Sequence, residues 1–312
     1  MATAEAVTLS GRSSVATLPA RRPTAGIWGN ALARLRRDRV TLAAAAILAV
    51  MILLAAGADV LSNYVFHYGF TRQDLLNSYQ RPTLGDPAFW LGSDDLGRSQ
   101  IVRLLYGARV SLSVGIGAAI INLTIGLVLG LMSGYLRGWF DDFVQFVIST
   151  LNSIPSIPLL LIVSVLFSPG PVSLVLILGA LLWPNATLFV RGQTMSLRER
   201  EFIAAGRVMG ASDARIIFRH LLPNVLPLMF VLTAIDVGSL ILIESALSFL
   251  GLGISPPTPS WGNMLTRAAQ DLSRGPWLVY APGAAIFLTV LCLYLLGDGL
   301  RDALDPRLNR TE

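Results

Sequence analysis

Six long apolar segments alternate with polar connections along the chain. Each is close to the length of about 20 residues that a helix needs to cross a hydrocarbon core about 30 Å thick. Hydrocarbon offers the backbone no hydrogen-bond partner, so each segment must pair its own amides as a helix. The pattern predicts an all-α, polytopic membrane protein with six transmembrane helices, at residues 41–61, 110–132, 143–167, 172–190, 225–252 and 280–296.

Composition supports this reading and excludes several classes of function. Hydrophobic residues make up 54% of the 312 positions and charged residues only 14%, against roughly 25% charge in soluble domains. All 24 basic residues are Arg, so the chain lacks the lysine of a phosphate-binding loop. One Cys and two His cannot form a disulfide framework or a Cys/His zinc site. Both histidines lie outside the spans, so an intramembrane serine hydrolase has no base. We predict a non-enzymatic chain that binds no metal and no cofactor.

Arginine placement predicts the orientation, because basic residues near spans stay in the cytoplasm. A cytoplasmic N-terminus puts 17 arginines inside and 7 outside, so we expect both termini to be cytoplasmic. We expect four divisions: a disordered cytoplasmic N-terminus at 1–25, a segment at 26–109 with the first span and an extracytoplasmic loop, a core at 110–300 with five spans, and a cytoplasmic tail at 301–312.

Polar residues within the third and fifth spans are candidates to line a pathway. Asn152, Ser153 and Ser156 stand beside two prolines that free backbone carbonyls and bend a helix. The residues can line a pathway, or the prolines can simply kink the helix. Asp236 and Glu244 are carboxylates at membrane depth, each costing about 2.5–3.5 kcal/mol unless paired, protonated or hydrated. Either can act in transport; alternatively Asp236 lies in a polar niche and Glu244 bonds to neighbouring serines.

Small residues recur every four positions in the second span. Gly126, Gly130 and Gly134 line one helix face and allow a neighbouring backbone to approach closely. The spacing predicts a packing face.

The connection between the fourth and fifth spans, residues 194–223, predicts two short helices outside the bilayer. Ser196 can cap the first, with Glu199 at capping-box spacing. Its predicted apolar stripe is Phe202, Ala205, Gly206 and Met209. Gly210 ends that helix, Ser212 or Asp213 starts the second, and Pro223 ends it. The result is a compact knob, although such a helix could also lie on lipid headgroups.

Two further segments predict features on the other side of the membrane. Ser93 or Asp94 can cap an amphipathic helix at the outer interface that ends near Arg109. Trp261 follows a proline-rich turn and suits the headgroup zone. Asp59, His67 and Cys292 show no partner at useful spacing and receive no function.

The connection 194–223 resembles the cytoplasmic signature of ABC importer permeases: Glu-Ala-Ala, three residues, Gly, nine residues, Ile, any residue, Leu-Pro. Ala205, Gly210, Leu222 and Pro223 match that pattern, whereas Ala204, Gly206 and His220 depart from it. Three longer segments, 91–112, 247–265 and 297–307, resemble the C-type permease of the dipeptide, oligopeptide and nickel uptake group. The resemblance extends over residues 30–308.

This resemblance implies a type I ABC importer permease fold in a bacterial cytoplasmic membrane. The implied partners are a homologous permease forming a heterodimer, two ATPase subunits that hold ATP and Mg, and an extracytoplasmic binding protein; nucleic acid is not a partner. The implied cargo is a di- or oligopeptide, with nickel, glutathione or an oligosaccharide as alternatives. A proton-coupled carrier using Asp236 and Glu244 is the alternative from another class. The knob is implied to be the coupling helix that contacts an ATPase through Ala204, Ala205, Gly206, Gly210, Ala211, Ser212 and Asp213.

Overall fold

The computed structural model describes residues 27–167 and 170–304, and all regular secondary structure within them is helical. The predictions for residues 1–25 and for the tail beyond residue 304 fall outside this part. The α-helices are α1 Ile27–Leu35, α2 Arg39–Ala56, α3 Ala58–Val60, α4 Gln100–Leu136, α5 Gly138–Asn152, α6 Ser156–Phe167, α7 Pro171–Leu181, α8 Trp183–Arg198, α9 Glu201–Val208, α10 Asp213–Ile216, α11 Leu222–Phe249, α12 Ala268–Arg274 and α13 Trp277–Leu304. Short π-helical segments lie at Leu61–Phe66 and Ile217–Leu221, and 3₁₀ turns at Leu75–Asn77, Pro87–Phe89 and Asn263–Leu265.

The helices account for the six predicted spans in two ways. Four continuous helices are long and apolar enough to cross a membrane: α2, α4, the run Asp213–Phe249, and α13. Two helix pairs meet the same criteria only when taken together and are bent at a break, α5 with α6 by 81° and α7 with α8 by 40°; counting each pair as one span gives six. Pro155 lies at the first break and Pro184 just after the second, where a missing N–H and a bulky ring interrupt the helical ladder. The all-α polytopic prediction is confirmed, and the third span bends more sharply than one proline kink requires.

Helix α4 forms the centre of the bundle and packs against α7, α8 and α11. Its glycines allow this close approach. A Cβ on Gly126 would lie 2.5 Å from the Ala186 Cβ, and one on Gly130 would lie 2.6 Å from the Val190 Cβ. A Cβ on Gly134 would lie 2.7 Å from the Arg191 carbonyl oxygen. The predicted packing face is therefore the contact between α4 and α8.

One end of the bundle carries a small folded unit, here called the cap, made of residues 57–99 and 250–276. Its apolar cluster includes Phe66, Tyr68 and Phe89, packed on the first turn of α4 at Val102. The Tyr68 hydroxyl donates to the Gly97 carbonyl oxygen at 2.8 Å. The predicted extracytoplasmic loop thus has a core of its own.

The start of α4 corrects one prediction. Ser99, not Ser93 or Asp94, caps the helix, and its Oγ accepts from the Val102 N–H at 3.3 Å. Asp94 instead closes the preceding turn by accepting from the Leu96 and Arg98 amides at 3.0 and 2.9 Å. The predicted interfacial helix is therefore not a separate element, because its residues form the cap turn and the first turns of a continuous span.

Two isolated residues of the sequence have partners in the fold. Trp261 is buried within the protein, and its indole N–H donates to the Leu104 carbonyl oxygen at 3.1 Å. Asp59 accepts from the Tyr106 hydroxyl at 2.6 Å and pairs with the Arg109 guanidinium at 2.9 Å. The sequence could not show these partners because they lie at least 47 positions away along the chain.

The connection at 194–223 also differs from its prediction. The part that stands out as a knob is Glu201–Leu221, and the name is kept for these residues from here on. Ser196 caps nothing, because α8 continues to Arg198 and α9 begins at Glu201. Ser212 does cap α10, accepting from the Arg215 N–H at 3.4 Å. Pro223 does not end the helix: it lies in the first turn of α11, directly after the π-helical segment. The wider π-helical turn accommodates the missing proline N–H, so the helix continues unbroken from the knob into the fifth span.

Candidate functional site

The knob turns at Gly210, the point that the sequence singled out. Its φ is +77°, and nothing lies within 4 Å of the position that a Cβ would take. Glycine is required there by backbone conformation alone, since L-residues avoid positive φ. The Ala211 N–H closes the turn by donating to the Gly206 carbonyl oxygen at 3.0 Å.

The outward face of the knob is apolar as well as basic. Of the predicted coupling residues, Ala204, Ala205, Gly210, Ser212 and Asp213 are exposed, Ala211 is half-buried and Gly206 is buried. Of the predicted stripe of α9, only Gly206 is buried, together with Ile203, which the prediction did not include. Phe202, Ala205 and Met209 are exposed, Met209 by 82%. The adjacent Val208 is 89% exposed, and Phe218, on the helical segment after the Gly210 turn, is 69% exposed. A protruding apolar patch of this kind is typical of a protein-binding surface.

Contacts on the inner side hold the knob on the bundle. Ile203 and Ile216 are fully buried in the main core. The Tyr135 hydroxyl, from the last turn of α4, donates to Asp213 Oδ1 at 2.6 Å. The Arg207 guanidinium lies 5.3 Å from the centre of the Tyr135 ring. Tyr135 was missed by sequence reasoning, because nothing local marks a tyrosine 78 residues from its partner.

A second feature is a polar cavity of about 410 Å³ at the breaks in the third and fourth spans, here called the break cavity. It brings together three predicted pathway residues, Asn152, Ser156 and Asp236. Asn185 and Ser239 add polar groups to the same wall. Asp236 accepts from the Asn122 side-chain amide at 2.6 Å and is the only ionisable residue among the described residues that line the cavity. The cavity therefore offers one carboxylate and several neutral hydrogen-bonding groups.

Two predicted pathway residues lie elsewhere. Ser153 is exposed and donates to the Thr150 carbonyl oxygen at 2.7 Å. Glu244 is fully buried and accepts from Ser111 and Ser248 hydroxyls, both at 2.8 Å. Ser111 also accepts from the Trp261 N–H at 3.2 Å. Glu244 thus joins α4, α11 and the following turn from inside the chain, and it lines no part of the break cavity.

Across residues 27–167 and 170–304, no three His, Cys, Asp or Glu side chains are grouped as metal ligands. The absence of a bound metal or cofactor stays a prediction.

Comparison with known proteins identifies the family. Residues 126–310 match the family described as binding-protein-dependent transport system inner membrane component. Residues 26–82 match the N-terminal transmembrane domain of oligopeptide transport permease C.

Relatives match over nearly the whole chain. The oligopeptide transport system permease protein OppC of Bacillus subtilis (strain 168) is 32% identical over 91% of each chain. The glutathione transport system permease protein GsiD of Escherichia coli O157:H7 is 38% identical over 90% of this chain and 91% of its own. GsiD of Pectobacterium atrosepticum is 37% identical over 95% and 97%. The chain therefore belongs to the inner membrane components of binding-protein-dependent transport systems, as an ABC importer permease of the oligopeptide and dipeptide group with the type I permease fold.

Proposed function

We propose that this chain is the translocation subunit of an ATP-driven importer of di- and oligopeptides that an extracytoplasmic binding protein delivers. It pairs with a homologous permease, and two ATPase subunits hydrolyse ATP on behalf of both. The chain itself catalyses nothing and binds no ATP, Mg or other cofactor. The observation that supports this most directly is the knob, a rigid extension of the fifth span that presents an exposed apolar patch.

The knob is the proposed ATPase contact, with Val208 and Met209 as its most exposed apolar side chains. The proposed orientation puts the knob and both termini in the cytoplasm and the cap outside, in agreement with the arginine distribution. Because α10 and α11 are joined only through a helical π segment, movement of the knob is transmitted to the fifth span. ATP-driven movement would then switch the break cavity between inward and outward access.

In this scheme the break cavity is part of the cargo path, with Asn152, Ser156 and Asp236 on its wall. Its single carboxylate attracts the ammonium group that every unblocked peptide carries. Glu244 serves structure instead, since its carboxylate is enclosed by serine hydroxyls.

Glutathione is the second candidate cargo, favoured by the 37–38% identity to glutathione permeases. It is itself a tripeptide with a free ammonium group, so the break cavity suits both cargos. The decisive experiment measures uptake of labelled dialanine, a pentapeptide, glutathione and nickel in cells with and without the gene. An uncoupler is added while ATP is held constant.

Gene-dependent peptide uptake that resists the uncoupler is the expected result. Gene-dependent uptake of glutathione alone would identify glutathione, rather than peptides in general, as the cargo. Gene-dependent uptake of nickel would identify nickel as the cargo. Uptake that collapses with the proton gradient would contradict ATP coupling and favour a proton-coupled carrier.

A further inference from the structure

A second polar cavity, of about 220 Å³, lies between the cap, the first turns of α4 and the ends of α11 and α13. We call it the cap cavity. It is separate from the break cavity and shares none of its lining residues. Within the described part of the chain six charged side chains line it, three acidic and three basic: Asp94, Asp95, Asp271, Arg98, Arg103 and Arg267.

Four of these six charges neutralise one another. Arg98 pairs with Asp94 at 2.7 Å and also lies 3.8 Å from Asp95. Asp95 in turn pairs with Arg267. Asp94 is further occupied by two backbone amides, so little of its accepting capacity remains.

Arg103 is the most loosely paired of the three cations. It is only 5% exposed, and its nearest carboxylate oxygen in the described part of the chain is Asp94 Oδ2 at 3.7 Å, beyond hydrogen-bond distance. That same oxygen already accepts from Arg98 at 2.7 Å. A buried guanidinium with five donors and no hydrogen-bond acceptor is costly. Its planar fork fits a carboxylate with two parallel hydrogen bonds.

Asp271 is the negative group left over. It is 8% exposed, and its side chain accepts one hydrogen bond, from the Tyr79 hydroxyl at 3.1 Å. No cation within residues 27–167 and 170–304 lies close enough to form an ion pair with it. Arg103 and Asp271 line the same cavity without pairing with each other. The cavity thus holds one loosely paired guanidinium, Arg103, and one carboxylate without an ion pair, Asp271.

We propose that the cap cavity binds a small zwitterion, whose carboxylate pairs with Arg103 and whose ammonium pairs with Asp271. The volume of about 220 Å³ is below the roughly 300–1,000 Å³ of sites for drug-sized ligands, and suits an amino acid or a dipeptide. An amino acid and a dipeptide both carry the carboxylate and the ammonium group that the proposal requires. The inference rests on the charges of this cavity and on no assumption about the direction or cargo of transport.

The test measures binding of dialanine to the purified complex of permeases and ATPases, without binding protein and without ATP. Free alanine, N-acetyl-dialanine and dialanine amide are compared by titration calorimetry. Dialanine or alanine is expected to bind, and loss of either terminal charge is expected to weaken binding by tenfold or more. Whichever of alanine and dialanine binds more tightly identifies the source of the ligand.

Variants assign the two ends of the ligand. Arg103→Gln should weaken dialanine binding tenfold and leave the amide unaffected, whereas Asp271→Asn should weaken dialanine and leave the N-acetyl form unaffected. Arg81→Gln, at an exposed cap arginine, is the matched control. Arg103→Lys keeps the charge and serves if the Gln variant does not assemble.

Absence of binding up to the millimolar range would overturn the proposal, as would affinity that neither variant changes. A complex that still hydrolyses ATP and transports, but binds no zwitterion in this assay, would reject the cap cavity while leaving the proposed function intact.

Discussion

At the residue scale, the most informative side chain is Glu244, whose role depends on contacts that the sequence does not show. Its position in an apolar segment marks it as unusual, and the neighbouring serines mark one way to satisfy it. Only the fold adds Ser111 from α4 and, behind it, the backbone of Trp261. The carboxylate therefore links α4, α11 and the turn that follows, and we propose that its role is structural rather than in transport.

Replacing Glu244 with Ala should lower the free energy of unfolding by about 2 kcal/mol, because it leaves buried serine hydroxyls without their acceptor. Glu244→Gln should cost less, since it keeps one acceptor oxygen at the same place. Thermal unfolding of the purified complex measures both. Ser113→Ala is the control, because that hydroxyl is exposed and bonds only to its own helix. A Glu244→Ala variant as stable as this control would contradict the structural role.

For Asp271 we expect the opposite effect on stability: removing its carboxylate charge should stabilise the fold. Burial raises its pKa above 3.8, although the Tyr79 hydroxyl acts to lower it. The folded state therefore binds the proton more tightly than the unfolded state, and this residue's contribution to stability falls as pH rises through its unfolded and folded pKa values. Without ligand, Asp271→Asn should match the wild type near pH 4 and unfold at a higher temperature at neutral pH.

Asp59 provides the comparison, because the Tyr106 hydroxyl and then Arg109 lower its pKa. Its contribution is present above the unfolded pKa and is lost as pH falls through the folded value. Asp59→Asn should therefore unfold at a lower temperature than the wild type at neutral pH. Melting curves from pH 4 to 8 test the pair, and a neutral-pH loss in both variants would contradict the assignment for Asp271.

At the scale of elements, the long helices follow from the sequence and their junctions do not. Unbroken apolar segments predict α2, α4 and α13 because hydrocarbon leaves a helix as the simplest solution. Where Pro155 and Pro184 interrupt a segment, the prolines predict a bend, but neighbouring helices set its size. The cap was missed as a folded unit because its stabilising contacts join residues far apart, such as Tyr79 with Asp271.

The glycine face of α4 yields a prediction with an internal control. Gly130→Ala should lower stability by about 1–3 kcal/mol, because its methyl group would overlap Val190 on α8 and force the helices apart. Gly192→Ala, on α8, meets nothing within 4 Å and should be neutral or stabilising by up to about 1 kcal/mol. Unfolding of both variants in the same detergent tests this, and equal effects would show that helix propensity dominates over packing.

The knob yields a functional prediction. Gly210→Val forces a β-branched residue to adopt a φ of +77°, at a cost of about 1–2 kcal/mol. We expect the protein to insert normally while substrate-stimulated ATP hydrolysis by the complex is lost. Gly210→Asn should retain more of that stimulation, since asparagine tolerates the left-handed region. If the Gly210→Val complex kept full substrate-stimulated ATP hydrolysis, the turn at Gly210 would have no part in coupling.

At the scale of the whole molecule, both apolar and polar contacts hold the knob on the bundle. The hydrogen bond from Tyr135 to Asp213 is a direct polar link between α4 and the start of α10. Tyr135→Phe should lower the number of cargo molecules transported per ATP about fivefold, the effect of losing about 1 kcal/mol of coupling. Tyr64→Phe, at a residue 76% exposed, is the control. An unchanged ratio would show that buried Ile203 and Ile216 are sufficient for coupling.

Helix α4 runs unbroken for 37 residues, which at about 1.5 Å per residue makes a rod about 55 Å long. Its first turns help to enclose the cap cavity, and its last turn holds Tyr135 against the knob. The glycine contact with α8, at residues 126–134, holds this rod close to its knob end. A small tilt about that contact would move the first turns of α4, at the cap, through a much larger arc than the last turn at the knob, so α4 has the geometry of a lever whose long arm reaches the cap.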